Sequence, residues 1–455
     1  MTAPPRGIFT ALLADAEAAA LLDDAAQAAA MVAVEAALAR VEARLGVIPA
    51  AHGEAIAAAL AGFEPDLADL ARGTGSAGVP VPALVAQLRR RVGPPAGDFV
   101  HWGATSQDIV DTALVLQLRE ILGVLDGRLN ALATALAGLA EAHAATPMIG
   151  RTRFQQAVPT TFGLKAAGWL APLLRHRRRL AELEPRLLLV QFGGAAGNLA
   201  ALGDKGVAVM EGLAEELDLG CPAMPWHSQR DGPAELASWL ALVTGSLGKL
   251  GQDVLLLAQN EVGEAREAAG GGSSTMPQKS NPILSEALVT LARRNAALVG
   301  GMHEAMLHAH ERDGAAWALE WAVLPEMISG TAAALAHADR LVRSLEVDPA
   351  GMRHTLDDAH GLHLAEAASF ALADRDGRAR AQEIVKAACR TALAEGRDLV
   401  EVLNDAAPGI DWAGVRDAAE RPPAAAALIR RVLDAAKPAV QVARRSHADG
   451  RNASS

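Results

Sequence analysis

The sequence predicts an all-α protein, and three observations carry the prediction. Alanine and leucine dominate the 455 residues, tyrosine is absent and aromatic residues make up 3%, a composition rich in helix formers and poor in the residues that favour sheets. Apolar residues recur at the i, i+3, i+4, i+7 spacing over stretches far longer than a strand. Proline and glycine interrupt the pattern at defined places, such as GSAGVPVP and GPPAGD, and so divide it into separate helices. The length suffices for two or three domains and a large core.

Residues 1–106 read as a small N-terminal helical domain, because DDAAQAAAMVAVEAALARVEARLG and AHGEAIAAALAGF are amphipathic at helical spacing. Residues 107–355 read as a central bundle of long helices, expected over 107–145, 155–187, 229–267, 282–311 and 320–345. Helices of roughly 30 to 40 residues reach about 45–60 Å at 1.5 Å per residue. Their apolar faces need covering, which points to association with further copies of the chain. Residues 356–455 return to shorter helices, LHLAEAASFALAD, RARAQEIVKAACRTALAEG and LVEVLNDA, and read as a small helical C-terminal domain ending in a polar tail.

The formal net charge of −11 argues against a nucleic-acid or anionic-membrane surface, and it means that an anionic substrate needs a local cationic pocket. Cys221 and Cys389 lack CxxC or Cys/His spacing, so neither a disulfide framework nor a metal site is indicated, and a reducing cytoplasm fits. The N-terminus lacks a basic stretch followed by an apolar core. The uncharged stretch near 187–203 is too short and too rich in glycine for a membrane span.

The stretch least like a helix is GGGSSTMPQKSNP, residues 270–282. Three glycines let successive N–H groups converge into an anion-binding nest. Ser273 and Ser274 follow, and a serine oxygen becomes useful in proton transfer where N–H groups and the Lys279 ammonium stabilise its alkoxide. Asn281 and Pro282 suit the start of the next helix, which places Lys279 beside a helix N-terminus. A flexible Gly/Ser linker is the alternative for such a composition, but it gives no reason for Met276, Lys279 and Asn281 at fixed offsets.

Two further constellations precede it. In HWGATSQDIVDT, residues 101–112, Thr105 or Ser106 can cap a long helix, and hydroxyls there can hold a carboxylate; a plain N-cap is the other reading. In GRTRFQQAVPTTFGLK, residues 150–165, Arg151, Arg153, Gln155 and Gln156 crowd a helix entrance, and arginine is the planar, always-charged donor suited to carboxylates. A solvated basic turn is the alternative. PWHSQRD, residues 225–231, adds His227, Gln229 and Arg230, although a histidine in a capping turn is commonly structural. Trp317 and Trp321, at i, i+4, read as packing residues.

GSSTMPQKSNP resembles the signature loop of the fumarase/aspartase superfamily, and residues 101–112 and 150–165 resemble its first two signature regions in the expected order. The resemblance covers nearly the whole chain. It implies a three-domain, all-α subunit with a long central bundle, a homotetramer whose active sites gather residues from several subunits, and chemistry that makes or breaks a C–O or C–N bond beta to a carboxylate without a cofactor. It also implies substrate contacts at His101, Thr105, Ser106, Arg151, Arg153, Gln155, Arg230, Ser274 and Met276, with Ser273, Lys279 and Asn281 catalytic. His101 lies where the adenylosuccinate-lyase branch places an active-site histidine; a satisfied structural histidine is the other reading.

One departure selects a branch. Amine-eliminating members resembling adenylosuccinate lyase carry His where this chain has Arg153. A departing nitrogen needs a proton, which histidine supplies near neutral pH and arginine does not. A carboxylate, with a pKa of about 4, needs no acid to leave or attack. Arg153 therefore fits an intramolecular lactonisation. The sequence is similar to the branch of bacterial 3-carboxy-cis,cis-muconate cycloisomerases, also through WH-x-QRD, through HER…W…EW in residues 308–326 and through its C-terminal part. That similarity implies lactonisation of 3-carboxy-cis,cis-muconate in protocatechuate (beta-ketoadipate) breakdown, with a small polycarboxylate as the partner. Val79 departs from the Asn expected of that branch, which leaves a related muconate open. The alternatives are an adenylosuccinate- or argininosuccinate-type lyase releasing fumarate, and an inactive structural homologue.

Overall fold

A computed structural model describes residues 7–8, 11–268, 271–272, 276 and 279–452, with side chains as far as Lys437. In chain order it contains α1 (Ala16–Leu21), α2 (Asp24–Arg44), α3 (Ala50–Leu60), α4 (Leu67–Ala77), α5 (Val81–Val92), α6 (Ser106–Ala142), the hairpin β1 (Pro147–Thr152) and β2 (Gln155–Thr161), α7 (Phe162–Leu187), α8 (Gly206–Glu216) and α9 (Asp231–Leu257). Then come β3 (Ala265–Glu267), β4 (Gly271–Gly272), β5 (Ser280–Asn281), α10 (Ile283–Glu304), α11 (Gly314–Ser344), β6 (Leu345–Val347), α12 (Pro349–Asp358), α13 (Ala365–Asp376), α14 (Arg378–Glu395), α15 (Leu399–Ala406), α16 (Trp412–Glu420) and α17 (Pro423–Asn452). The all-α expectation holds; the described strands form three two-stranded antiparallel pairs.

Four of the five expected long helices differ from the sequence reading mainly at their ends. The exception is 155–187, where residues up to Thr161 form β2 and the helix starts at Phe162. Pro159 lacks the N–H a helix interior needs, and Val158, Thr160 and Thr161 are β-branched. Gly150 sits at the register shift of the hairpin, where a Cβ would stand 2.8 Å from the Val158 carbonyl oxygen. α9 stops ten residues short of the expected 267, in a turn containing Gly263 at φ +61°. α11 begins six residues before the expected 320, because Asp313 accepts the N–H groups of Ala315 and Ala316 and so caps it. Asp15, Asp23, Asp66, Asp348, Asp398 and Asp411 cap α1, α2, α4, α12, α15 and α16 in the same way.

Packing divides the chain into two compact units, each assembled from three separated stretches: residues 1–127, 176–245 and 290–335, and residues 128–175, 246–289 and 336–455. In the first, α2 serves two clusters. Met31 and Val34 pack with Ile56, Leu84, Leu88 and Ile109, while Leu38 and Val41 pack with Val190, Phe192, Val209 and Leu213. In the second, Leu372, Val385, Leu399, Leu403 and Trp412 close a core over α13–α16. α9 is long and apolar enough to cross a membrane by composition alone. Its Leu236, Leu240, Val243, Leu247, Leu250 and Val254 are nonetheless buried at helical spacing, as in the core helix of a soluble protein.

The cost of α2's burial falls on Glu42, 1% exposed, neither of whose carboxyl oxygens has a hydrogen-bond partner among the described residues. Burial, reinforced by the neighbouring Glu35, pushes this carboxyl from 4.5 up to about 9. The folded chain thus keeps a proton that the unfolded chain releases. The associated stability is complete below pH 4.5 and declines by about 1.4 kcal/mol per pH unit as pH rises towards the folded value. Glu42→Gln removes that slope, so its melting temperature should exceed wild type by more at pH 8 than at pH 5. An equal difference at both pH values would contradict the assignment.

Candidate active site

The first turn of α6 is held by a buried carboxylate. Asp108, 0% exposed, accepts the Thr105 N–H at 3.0 Å, the return arm of a capping box. It also accepts the N–H groups of Gly193 and Gly194, each at 2.9 Å, the Gln191 side-chain amide at 3.2 Å and His227 Nε2 at 2.8 Å. A carboxylate only accepts, so the His227 proton sits on Nε2. The paired glycines of FGGAAGN are explained here: a Cβ on Gly193 would meet Pro225 at 2.7 Å and the His227 ring at 2.9 Å, and Gly194 takes φ +70°.

One turn on, Asp111 receives Arg230 Nη1 at 2.6 Å and Trp317 Nε1 at 3.0 Å. Arg230 spends its remaining edge on Glu320, through Nε at 2.8 Å and Nη2 at 2.5 Å, and lies 4.7 Å over the Trp226 ring. Burial pushes the Glu320 carboxyl up, and Arg230 opposes that shift. Arg230 is 2% exposed. Two protein carboxylates occupy the guanidinium of Arg230, the residue the sequence reading set against substrate, and tie it to the helix start. His227, 3% exposed, likewise turns its Nε2 to Asp108. Trp317 is buried and stacks edge-on with Trp321 at 4.7 Å, as expected of packing residues.

His101 sits just ahead of α6 in the left-handed region, φ 65°. Its Nδ1 lies 2.6 Å from Glu35 Oε1. Thr105 and Ser106 are half-buried at the helix start. His101, Thr105, Ser106 and Arg230 thus all belong to the first unit.

The second unit holds Arg151, Arg153, Gln155, Met276, Lys279 and Asn281. β1 and β2 pair Thr152 with Gln155, which leaves Arg153 and Phe154 as a two-residue turn with φ 49° and 64°. Such turns ordinarily use Asn and Gly, and two larger residues there store about 1 kcal/mol or more each. Both are exposed, Phe154 to 86%. Arg151 is partly committed: its Nη1 and Nη2 bond the fully buried Glu264 at 2.7 and 2.9 Å. Near this pair lies Lys165, whose ammonium burial pushes down, with Asp253 opposing.

The signature stretch is closed at its ends: Gly271 pairs with Asn281 and Gly272 with Ser280. A Cβ on Gly271 would stand 2.2 Å from Ile283. Lys279 and Met276 are exposed, and the Lys279 N–H donates to the Met276 carbonyl at 3.0 Å. Ser273 and Ser274 lie outside the described residues. The start of α10 is occupied by an anion of the protein itself: Glu267 accepts the N–H groups of Leu284 and Ser285 and the Ser285 hydroxyl. Asn281 is not the residue that opens α10, since the Pro282 carbonyl accepts the first helical bond, from Glu286.

A family model described as Lyase matches residues 6–296. The chain belongs to the fumarase/aspartase superfamily. Within that superfamily it is 48% identical over 412 residues to a 3-carboxy-cis,cis-muconate cycloisomerase of Pseudomonas aeruginosa, covering 89% of each chain. It is 42% identical to trans-aconitate decarboxylase 1 of Mycosarcoma maydis, over 81% of this chain and 76% of that one. Among solved structures, the 3-carboxy-cis,cis-muconate lactonizing enzyme from Pseudomonas putida matches 96% of this chain and all of its own, with a TM-score of 0.89 and 42% identity.

The residues that sequence reasoning passed over are the acids: Glu35, Asp108, Asp111, Glu264, Glu267 and Glu320. A signal existed for some of them. Asp108 and Asp111 fall among apolar neighbours at the start of a buried helix, and Glu320 interrupts the apolar run AWALEWAVL. Breaking the Arg230 cluster leaves two buried carboxylates uncompensated, so Arg230→Ala should lose about 3–5 kcal/mol in denaturant titrations. Arg153→Ala, at an exposed turn, should stay within about 0.5 kcal/mol of wild type. Equal stability of the two variants would contradict these placements.

Proposed function

We propose that this chain converts 3-carboxy-cis,cis-muconate to carboxymuconolactone. The observation that carries the reading is the 48% identity to a cycloisomerase of that name across 89% of both chains. It is supported by the exposed guanidinium of Arg153 at the hairpin tip, where nitrogen elimination calls for a proton donor. A fumarate-releasing lyase leaves Arg153 without a purpose, and a protein that had lost its chemistry gives no reason to retain Lys279 and Asn281 in the signature.

In the reaction one substrate carboxylate attacks the conjugated double bond. A C–O bond forms, the π pair moves onto the carbon beside another carboxyl group, and that aci-carboxylate takes one proton on carbon. Lys279 and Asn281 stabilise the aci-carboxylate, and Ser273 carries the proton, with Ser274 as its neighbour in the loop. His101, Thr105, Ser106, Arg151, Arg153 and Gln155 hold the carboxylates, Met276 flanks the loop, and Arg230 acts through Asp111 and Glu320. No cofactor is required, because the leaving bond is a π bond and the developing charge is delocalised. Electrostatic stabilisation supplies most of the acceleration, and one lost donor costs about 10²–10³ in rate.

The active form is a cytoplasmic homotetramer with sites shared between subunits, acting in protocatechuate breakdown. Exposed apolar residues on the long helices, Leu242 of α9 and Leu319 of α11, and two free cysteines accord with this. Purified protein should abolish the ultraviolet absorbance of the conjugated diene in 3-carboxymuconate faster than in unsubstituted muconate, and it should leave adenylosuccinate intact. Ser273→Ala should assemble normally and lose at least a hundredfold in turnover. Unimpaired turnover would remove the serine from the mechanism, and release of fumarate or carbon dioxide would overturn the reading.

A further inference from the structure

We propose that Glu35 is a positioning residue: through Nδ1 it fixes the ring of His101 so that Nε2–H is presented as a hydrogen-bond donor to a substrate carboxylate. The role rests on the reaction proposed above only in what His101 touches. The contact between Glu35 and the ring is a property of the fold.

Glu35 belongs to α2, which otherwise packs into two apolar clusters. It is 2% exposed, and its Oε2 has no hydrogen-bond partner among the described residues. Its other oxygen meets His101 Nδ1 at 2.6 Å. A buried carboxylate satisfied on one oxygen by one imidazole is a poor device for stability, since an apolar residue of similar volume would serve the core as well or better. The histidine also carries a cost, because φ 65° is uncommon for a residue with a side chain. Both expenses are explained if the ring is being aimed.

The aim follows from the two nitrogens. Glu35 accepts, so Nδ1 carries a proton. Nε2 has no hydrogen-bond partner among the described residues, and the side chain remains 16% exposed. The groups facing the ring are Glu35 from α2, Asp108 from α6 and Arg89 from α5. Burial disfavours the charged ring, but Glu35 and Asp108 outweigh burial and Arg89, and the ring titrates above its ordinary value. Below that value Nε2 bears a proton and donates to an anion; above it, Nε2 is a lone pair that repels one. The pair as a whole adds no net charge; what it supplies is a protonated Nε2 directed away from Glu35.

The test is Glu35→Gln, with Glu42→Gln as the comparison, since Glu42 lies on the same helix and is already neutral. In wild type the His101 ring signal, assigned by its loss in His101→Gln, should titrate above 6.5 by NMR. In Glu35→Gln it should move down by at least one pH unit, with the circular dichroism spectrum unchanged. The basic limb of kcat/KM should move with it. KM for 3-carboxymuconate at pH 8 should rise at least tenfold while kcat changes less than threefold. Glu42→Gln should leave the limb in place. A basic limb and KM indifferent to Glu35→Gln would reduce the pair to a structural contact and overturn the proposal, as would a wild-type ring titrating below 6.5. The ring titration needs no turnover: if wild type formed no lactone, the reaction would fail while the titration still decided the Glu35–His101 link.

Discussion

The start of α6 depends on Asp108. Its two oxygens accept from the backbone of Thr105, Gly193 and Gly194 and from the side chains of Gln191 and His227, so one carboxylate ties the helix start to segments that begin 83 and 119 residues further along the chain. Asp111, a turn later, joins α6 to α9 and α11 through Arg230, Trp317 and the shared partner Glu320. Buried charges are costly unless paired and hydrogen-bonded. Here the pairing is complete enough that Thr105 and Ser106 are carried on a start that has little freedom to shift, which a site for a small rigid polyanion requires.

Charge supply is the second constraint. Of the cations the sequence offers for a polycarboxylate, Arg230 is consumed by Asp111 and Glu320, and Arg151 is partly consumed by Glu264. Arg153 and Lys279 remain exposed in the second unit, and His101 gains positive character from Glu35. Arginines that look equivalent in a motif thus divide into those bonded to protein acids and those left exposed. The division is decided by acids elsewhere in the chain.

That division explains what was legible. The long helices were, because periodicity is local and persists over many turns; α6 was expected over 107–145 and runs over Ser106–Ala142. The superfamily signatures were legible as well, because each is contiguous. Boundaries set by one side chain were missed: Asp313 opens α11 early, and Pro159 with its β-branched neighbours turns an expected helix into β2. The partners of Arg151 and His227 could not be read, since they lie 113 and 119 residues away, and nothing local marks them. The acids were overlooked for the same reason. An aspartate or glutamate on a helix looks solvated until the tertiary fold buries it.

In the proposed cyclising addition, carbon and not nitrogen receives the proton. Proton NMR of the product formed from 3-carboxy-cis,cis-muconate in D2O tests it most directly. The expected product is a lactone bearing one solvent deuteron on the carbon beside a carboxylate. Unchanged substrate, loss of carbon dioxide, or a lactone without deuterium would contradict it.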